Sequence, residues 1–499
     1  MTNSWSRDPL WTIAVVACVG AGVVCAAHLA YSGLWIDEIY TLHAIALPWK
    51  EMIIERLSRG HFPLYFTLMK VWMGLWPTPS EVVLRLPSLF FWLVSICTFA
   101  LVLRNEASPR AAPFVLVFLA LNGLGLRQAS EARMYTLALF LAVCYTASYL
   151  HVARHDRSRI TRVGLILIPV LGFWATSTFV LTVASFLFDA IRRRNRLLLW
   201  LISLSLVLTS LTAVAPLFVH AATRERSEIA HVPPSVLLLH LVTFLTGILG
   251  WEDYYTIYSP LVVLQIIGAV EAVILLAYAL RRWDDLPEPA KTGFGVTMFP
   301  LAIMVATWAL AKGLGIGTAL HGPARYLIGS LPAAAIFSGS VLNMACKTHK
   351  QRLVVFLGVT SILLLNAFTV ARVSLESPRE LLVRYFAPRW RSSDAVVVVP
   401  EQAREAVKMY VPQVKIDETL PRNLSEADVR ARLAQFIGRS RLWLIWIHGK
   451  SSCAVAVADQ LFGRGLSSSP HRYLGERRVF LYEASQAPAE QVHGNRNGQ

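Results

Sequence analysis

The sequence predicts a polytopic α-helical membrane protein with a small C-terminal α/β domain. Apolar runs of roughly 18–25 residues recur between residues 10 and 373, each long enough for a helix to cross about 30 Å of hydrocarbon. Charge is scarce: 16% of the 499 residues are charged and 55% are hydrophobic, with a mean hydropathy of +0.51. A soluble domain carries about 25% charged residues. From about residue 374 short β-branched runs alternate with helical patterns, which reads as α/β.

The formal charge of +16 does not point to nucleic acid. The basic residues sit in short islands between apolar runs and mainly on one side, as the positive-inside rule expects.

Helix one is expected over about residues 10–30. The run 9–31 is long for a signal peptide and lacks a small-x-small cleavage site, so it reads as a retained helix. A polar-aromatic loop follows over 31–80, with amphipathic pieces near 47–57 and 64–76 that would lie in the interface. Further spans are expected at 82–103, 112–124 and 136–151. The stretch 163–190 exceeds one span and breaks near 172–177, giving two short helices. The remaining spans are 197–219, 260–280, 292–311, 326–345 and 353–373. A second outer loop, 223–258, contains an amphipathic or partly buried stretch at 236–249.

That makes roughly eleven spans. Placing Arg7, Arg104, Arg110, the arginines of 154–162 and 192–196, Arg281, Arg282, Lys291, Lys347, Lys350 and Arg352 in the cytoplasm satisfies the charge asymmetry. The odd count then puts Asp37, Glu38 and the C-terminal region together on the outer side.

The C-terminal part, 374–484, is expected to hold strands at 395–399, 442–447 and 478–482. Helices are expected at 401–410, 425–436 and 451–462, the second opened by a Ser425-x-x-Asp428 cap. Residues 485–499 read as a disordered tail. Of the six cysteines, Cys453 stands alone in this part, which excludes a disulfide within it. No Cys spacing suits a metal. His43, His220, His231 and His321 lack ligand spacing, so no metal cofactor is expected.

One stretch stands out against this background. Gly33–Tyr40, directly after the first run, carries the adjacent acids Asp37 and Glu38. Carboxylates at a membrane surface are costly to keep there, which marks them as functional candidates.

Several motifs keep a fixed order relative to the spans. The Asp37-Glu38 pair is followed by His61-Phe62-Pro63-Leu64-Tyr65, Leu84-Arg85-Leu86-Pro87-Ser88 and Glu131-Ala132-Arg133-Met134-Tyr135. Arg325-Tyr326 with Pro332, and Tyr385 with Pro388-Arg389-Trp390-Arg391, come later. In this the chain resembles the bacterial branch of the glycosyltransferase-C superfamily, near the protein O-mannosyltransferases, aminoarabinose lipid A transferases and rhizobial lipopolysaccharide-core transferases. Where aminoarabinose transferases have an acidic-basic pair before the Pro-Leu motif, this chain has Gly60-His61.

The resemblance implies a multi-pass enzyme of the bacterial inner membrane. It would move a sugar from a polyprenyl-phosphate carrier to a cell-envelope glycan, lipid or protein on the periplasmic face. Such a reaction needs a base for the acceptor hydroxyl and positive charge for the departing phosphate. The catalytic candidates are Asp37, as general base, and Glu38, in a supporting role. Arg85, Arg133 and Arg325 are candidate phosphate ligands, against the plainer reading of snorkelling to headgroups. Glu131 is expected to pair with a neighbouring arginine. His61 is a candidate phosphate contact, and Tyr65, Tyr135 and Tyr326 line the substrate pocket or an aromatic belt.

Two other readings compete. A transporter of lipid-linked sugars predicts broken mid-span sites and repeated halves, and no half-repeat is visible. A membrane-anchored binding protein leaves the acidic pair and the arginine-bearing loop mouths without a role.

Overall fold

The computed structural model describes residues 8–76, 79–106, 108–155, 158–223, 234–248, 259–313, 324–372, 377–421, 424–447, 452–463, 466–468 and 478–483. His231, His321, the side chain of His220, most of the 223–258 loop and the 485–499 tail lie outside them. By its contacts the chain divides into two compact units. One is Met1–Ser32 with Leu47–Ser374, and the other is Gly33–Ala46 with Leu375–Gln499.

The chain is a polytopic α-helical membrane protein with a small C-terminal sheet domain. The helices of the first unit are α1 (Pro9–Tyr31), α3 (Trp49–Ser58), α4 (Leu64–Met73), α5 (Glu81–Glu106), α6 (Ala112–Ala120), α7 (Gly123–Ala129), α8 (Tyr135–His155), α9 (Arg159–Ala175), α10 (Phe179–Arg192), α11 (Arg196–Thr223), α12 (Pro234–Thr246), α13 (Ser259–Arg281), α14 (Glu288–Gly313), α15 (Leu331–Ala345) and α16 (His349–Arg372). Helix α2 (Ile36–Ala46) belongs to the second unit.

Among the described residues, eight helices are long and apolar enough to span, or nine if the bent pair α6–α7 is one span. The sequence count of roughly eleven also includes α9 and α10. These have 17 and 14 residues, less than the 20 or so that cross the hydrocarbon at 1.5 Å per residue.

The faces of α1 show how lipid shapes these helices. Ala14, Ala17, Ala21 and Cys25 are buried, while Val15, Val16, Val19 and Val23 are exposed. Small residues go inward because, without water, close packing rather than hydrophobic burial joins helices. Helix α15 is buried almost throughout, from Leu331 to Val341. Its approach depends on glycine: a Cβ on Gly339 would lie 2.6 Å from the Val115 backbone nitrogen, and one on Gly293 would lie 2.5 Å from the Ala333 carbonyl.

Expected span 112–124 is instead a helix bent by 49°. Asn122 causes the bend. Its side-chain oxygen accepts from Leu124 N at 3.0 Å, and its amide donates to Thr243 O at 3.2 Å. A side chain that satisfies backbone groups in this way replaces the helical ladder. The stretch 236–249 falls on α12, whose Val242 and Leu245 join a buried cluster with Leu275, Ala279 and Phe337. It is a packed helix, so its second half presents no amphipathic outer face.

At the other end of α10, Asp189 gathers three helices. It accepts from Tyr149 Oη (2.8 Å), Thr292 Oγ1 (2.9 Å) and Arg193 Nε (2.7 Å). A buried carboxylate with four charge-assisted or hydroxyl donors meets the requirement that buried charge be paired.

The second unit has strands β1 (Ala395–Val399), β2 (Glu418–Thr419), β3 (Arg441–Trp446), β4 (Leu466–Ser468) and β5 (Arg478–Glu483), in sheet order β2-β1-β3-β5-β4. β1 is parallel to β2 and β3, and β5 is antiparallel to β3 and β4. Every residue of β1 and β3 is buried, as befits strands covered on both faces. Helices α17 (Arg404–Tyr410), α18 (Glu426–Ala434) and α19 (Ser452–Phe462) complete it. Ser425 caps α18, accepting from Asp428 N at 3.2 Å. Tyr385, from the late motif, packs near Trp443 at 6.2 Å and carries Arg389 over its ring at 4.5 Å.

Candidate active site

Helix α3 ends in a charged turn. Arg56 is almost wholly buried and forms a two-pronged ion pair with Glu55, with its guanidinium 5.0 Å from the Phe66 ring. Arg59 donates to the same carboxylate at 2.6 Å. Gly60 then adopts φ +76°, a left-handed step that glycine takes without steric cost and that ends helices. The His61 amide turns back to donate to Arg56 O at 2.8 Å.

Two further arginines come from distant parts of the same unit. Arg133 lies in the short turn between α7 and α8, and Arg325 in the tight turn Ala324–Ser330 before α15. Both are buried. The two guanidinium groups each lie 5.9 Å from the centroid of the Tyr135 ring, and Arg325 lies 5.9 Å from that of Tyr326. The two rings are 6.2 Å apart. An aromatic face attracts a cation by its quadrupole, so these tyrosines hold the arginines close despite their mutual repulsion.

Beside this group lies a cavity of about 310 Å³ whose lining includes Arg59, His61, Thr176, Ser177, Thr178 and Tyr326. Phe62, Met134 and Met304 supply apolar wall. His61 is half-buried. Desolvation, then the charges of Arg133, Arg56, Arg59 and Arg325, hold its imidazole well below the ordinary histidine range. Burial pushes the Glu55 carboxyl upward, but the hydrogen bond and charge of Arg56, with Arg59, outweigh it and the net shift is downward. The result is a pocket with an ionised Glu55, four cationic guanidiniums and a neutral imidazole. Such a pocket favours an anion.

Other sequence candidates have structural partners. Arg85 donates to Leu29 O at 2.9 Å and Ser32 O at 2.6 Å, meeting carbonyls at the α1 C-terminus that have no helical donor. Tyr65 and Ser88 hydroxyls are 3.2 Å apart, and Ser88 donates to Arg133 O at 3.3 Å. Glu131 takes a 2.6 Å bond from Arg127, one helical turn before it.

Asp37 and Glu38 lie in the first turn of α2, in the second unit. Asp37 is half-buried, and its backbone carbonyl accepts from Thr41 Oγ1 at 3.0 Å. Glu38 is fully buried, and its carboxylate accepts from the Trp35 amide at 3.2 Å. That is the reach-back of a capping glutamate, and both acids suit the positive end of the helix dipole. The preceding Leu34 amide donates to Tyr410 Oη at 2.7 Å.

Sequence reasoning missed Arg56, Arg59 and the Thr176–Thr178 turn. The helix-ending Gly60 beside two arginines was a legible sign of the first two. The turn was legible only as a break in an apolar stretch. Among the described residues no group of three or more His, Cys, Asp or Glu is placed to hold a metal ion.

No known family profile matches the chain, and no curated protein does. Among solved structures, it is similar to ArnT from Cupriavidus metallidurans bound to undecaprenyl phosphate, with 14% identity over 94% of this chain and 98% of that one and a TM-score of 0.47. It is also similar to the Archaeoglobus fulgidus oligosaccharyltransferase in the apo form, at 11% identity over 93% and 70% with a TM-score of 0.47. A third is AglB from the same archaeon in complex with an inhibitory peptide and a dolichol-phosphate, at 9% identity over 87% and 69% with a TM-score of 0.45. ArnT and AglB are glycosyltransferases of the glycosyltransferase-C superfamily, the one the sequence motifs resemble. At TM-scores this low the likeness carries no functional argument, and the chemistry has to come from the residues.

Proposed function

We propose that this chain is an integral-membrane glycosyltransferase that moves a sugar from a polyprenyl-phosphate carrier to a cell-envelope acceptor on the periplasmic face of the inner membrane. The observation that carries the reading is the gathering of Arg56, Arg59, Arg133 and Arg325 around His61 at one cavity. A phosphate is the anion such a group suits, since planar guanidiniums match its oxygens.

The chemistry follows from the charges. The acceptor O–H gives its proton to the Asp37 carboxylate, which the resemblance assigns as general base. The acceptor oxygen forms the new bond to the anomeric carbon. The carbon–oxygen bond to phosphate breaks, and the electron pair leaves with the phosphate monoester. Arg133 and Arg325 offset the charge that develops there. A single displacement of this kind inverts the anomeric centre.

The test is release of polyprenyl phosphate from lipid-linked sugars by the full chain in membranes. Asp37→Asn should slow release by about 10²–10⁴-fold. Equal release by both proteins would sink the assignment of Asp37. Movement of intact lipid-linked sugar across the bilayer without cleavage would make the protein a transporter instead.

A further inference from the structure

The Thr176–Thr178 turn joins α9 to α10 and lines the arginine-flanked cavity. No sequence motif or charge pattern singles it out. The Thr176 and Thr178 hydroxyls lie 3.0 Å apart as a hydrogen-bonded pair. Such a pair uses one of its two protons on itself, leaving a donor and several acceptor lone pairs for a ligand. Ser177 adds a third hydroxyl to the lining. Across from them stand the His61 imidazole and the Tyr326 and Phe62 rings. Hydroxyls, a neutral imidazole and aromatic faces in about 310 Å³ form the small, mixed lining of a pocket for a compact polar ligand.

Charge narrows the ligand further. No carboxylate is among the described residues that line the cavity. The charges acting on His61 are Arg133, Arg56, Arg59 and Arg325, all cationic. Glu55, the nearby acid, is already engaged by Arg56 and Arg59. An ammonium group placed here would face like charges without a counter-ion.

We infer that this cavity is the subsite for the transferred sugar, that Thr176, Ser177 and Thr178 bind its hydroxyls, and that the sugar it takes carries no cationic amino group. This rests on the transferase reading above. It adds the class of sugar and the groups that recognise it. The arginines hold the phosphate, and the hydroxyl turn meets the ring attached to it.

The experiment uses the full chain in nanodiscs with two probes, undecaprenyl phosphate carrying mannose and undecaprenyl phosphate carrying 4-amino-4-deoxyarabinose. Bare undecaprenyl phosphate is the reference. Equilibrium binding and carrier release are measured separately. The neutral probe should bind about 100-fold more tightly than the amino sugar, because like-charge juxtaposition is strongly penalised. Arg59→Glu should narrow that gap by about tenfold. Thr178→Val keeps the side-chain shape and removes the hydroxyl. It should weaken the neutral probe about 3–10-fold while leaving bare carrier binding unchanged.

Equal or tighter binding of the amino sugar overturns the inference. So does a Thr178→Val variant that weakens bare carrier as much as the sugar-bearing probe. If the binding order holds but neither probe is cleaved, the subsite stands and the transferase reading falls. If both probes are cleaved without discrimination, the transferase reading stands and the subsite falls.

Discussion

The Leu34 backbone amide donates a 2.7 Å hydrogen bond to the Tyr410 hydroxyl, joining the segment that leads into Asp37 to α17 of the C-terminal domain. Helix α2 therefore belongs by its contacts to a domain encoded more than three hundred residues later. Glu38 is spent on the Trp35 amide, so the helix start is held at two successive points.

Tyr410→Phe should test that hold. It leaves a partly buried amide without its acceptor, at a cost of about 1–3 kcal/mol. The second unit should lose about that much stability in a denaturant titration followed by proteolysis. Under the proposed function kcat should fall several-fold with little change in KM for the lipid donor. Unchanged kcat would show that Asp37 does not depend on this anchor.

Gly33→Ala should act on the same segment by another route. A Cβ there would lie 2.1 Å from Ser377 Oγ and 2.8 Å from Arg379 Cβ. The neighbours must shift, which costs about 1–3 kcal/mol in a packed site. Gly33→Ala combined with Ser377→Gly should recover part of the loss. No recovery would place the strain elsewhere.

Breaking the Glu55 pair should be the more damaging change in the first unit. Glu55→Gln leaves Arg56, 1% exposed, without its charged partner. Losing one side of a buried pair costs about 3–5 kcal/mol. Thermal unfolding in detergent should show it as a clear fall in Tm, and a shift of under a degree would contradict the pairing.

Arg133→Lys and Arg325→Lys should not rescue Arg133→Ala and Arg325→Ala fully. Both guanidiniums lie near the Tyr135 ring, and an ammonium neither stacks nor bridges two oxygens. Binding of bare undecaprenyl phosphate should drop about tenfold for each lysine variant and further for each alanine. The salt dependence of binding should weaken in step. Wild-type affinity in the lysine variants would mean the arginines are structural.

Acid should expose the neutral His61. Its imidazole is held well below its ordinary value by burial and by Arg133, Arg56, Arg59 and Arg325. An unfolded histidine titrates near pH 6.5. Below that pH the unfolded chain binds a proton that the folded one refuses, so stability is full above about 6.5 and falls as the pH drops. Glu55, shifted downward, stays ionised through this window. The Tm of His61→Gln should fall less than that of wild type between about pH 7.5 and 5.5. Parallel curves would show that His61 is not the group responsible.

Much of the fold was legible without coordinates. A span needs a local stretch of apolar residues, so α1, α5, α8, α11, α13, α14 and α16 are written in contiguous sequence. The same holds for β1, β3 and β5 and for the Ser425 cap, each set by neighbours within a few residues. The two- and three-residue edge strands β2 and β4 were not legible, because such short strands exist only by pairing with a strand already in place. The bend at Asn122 also escaped, since it depends on a carbonyl at Thr243.

For the candidate site the division is sharper. The sequence by itself determined that acids and arginines stand at the mouths of apolar runs, because a charge inside hydrocarbon is too costly to be placed at random. Only the tertiary structure decided which of those charges meet. It sends Arg85 to the end of α1 and Glu131 to Arg127. It draws Arg56 and Arg59 together with Arg133, Arg325 and His61 at one cavity. It ties the Asp37 helix to Tyr410 and its domain. These choices turn on distances of a few ångströms between residues far apart in the chain, and electrostatic and hydrogen-bond energies are set by those distances rather than by sequence spacing.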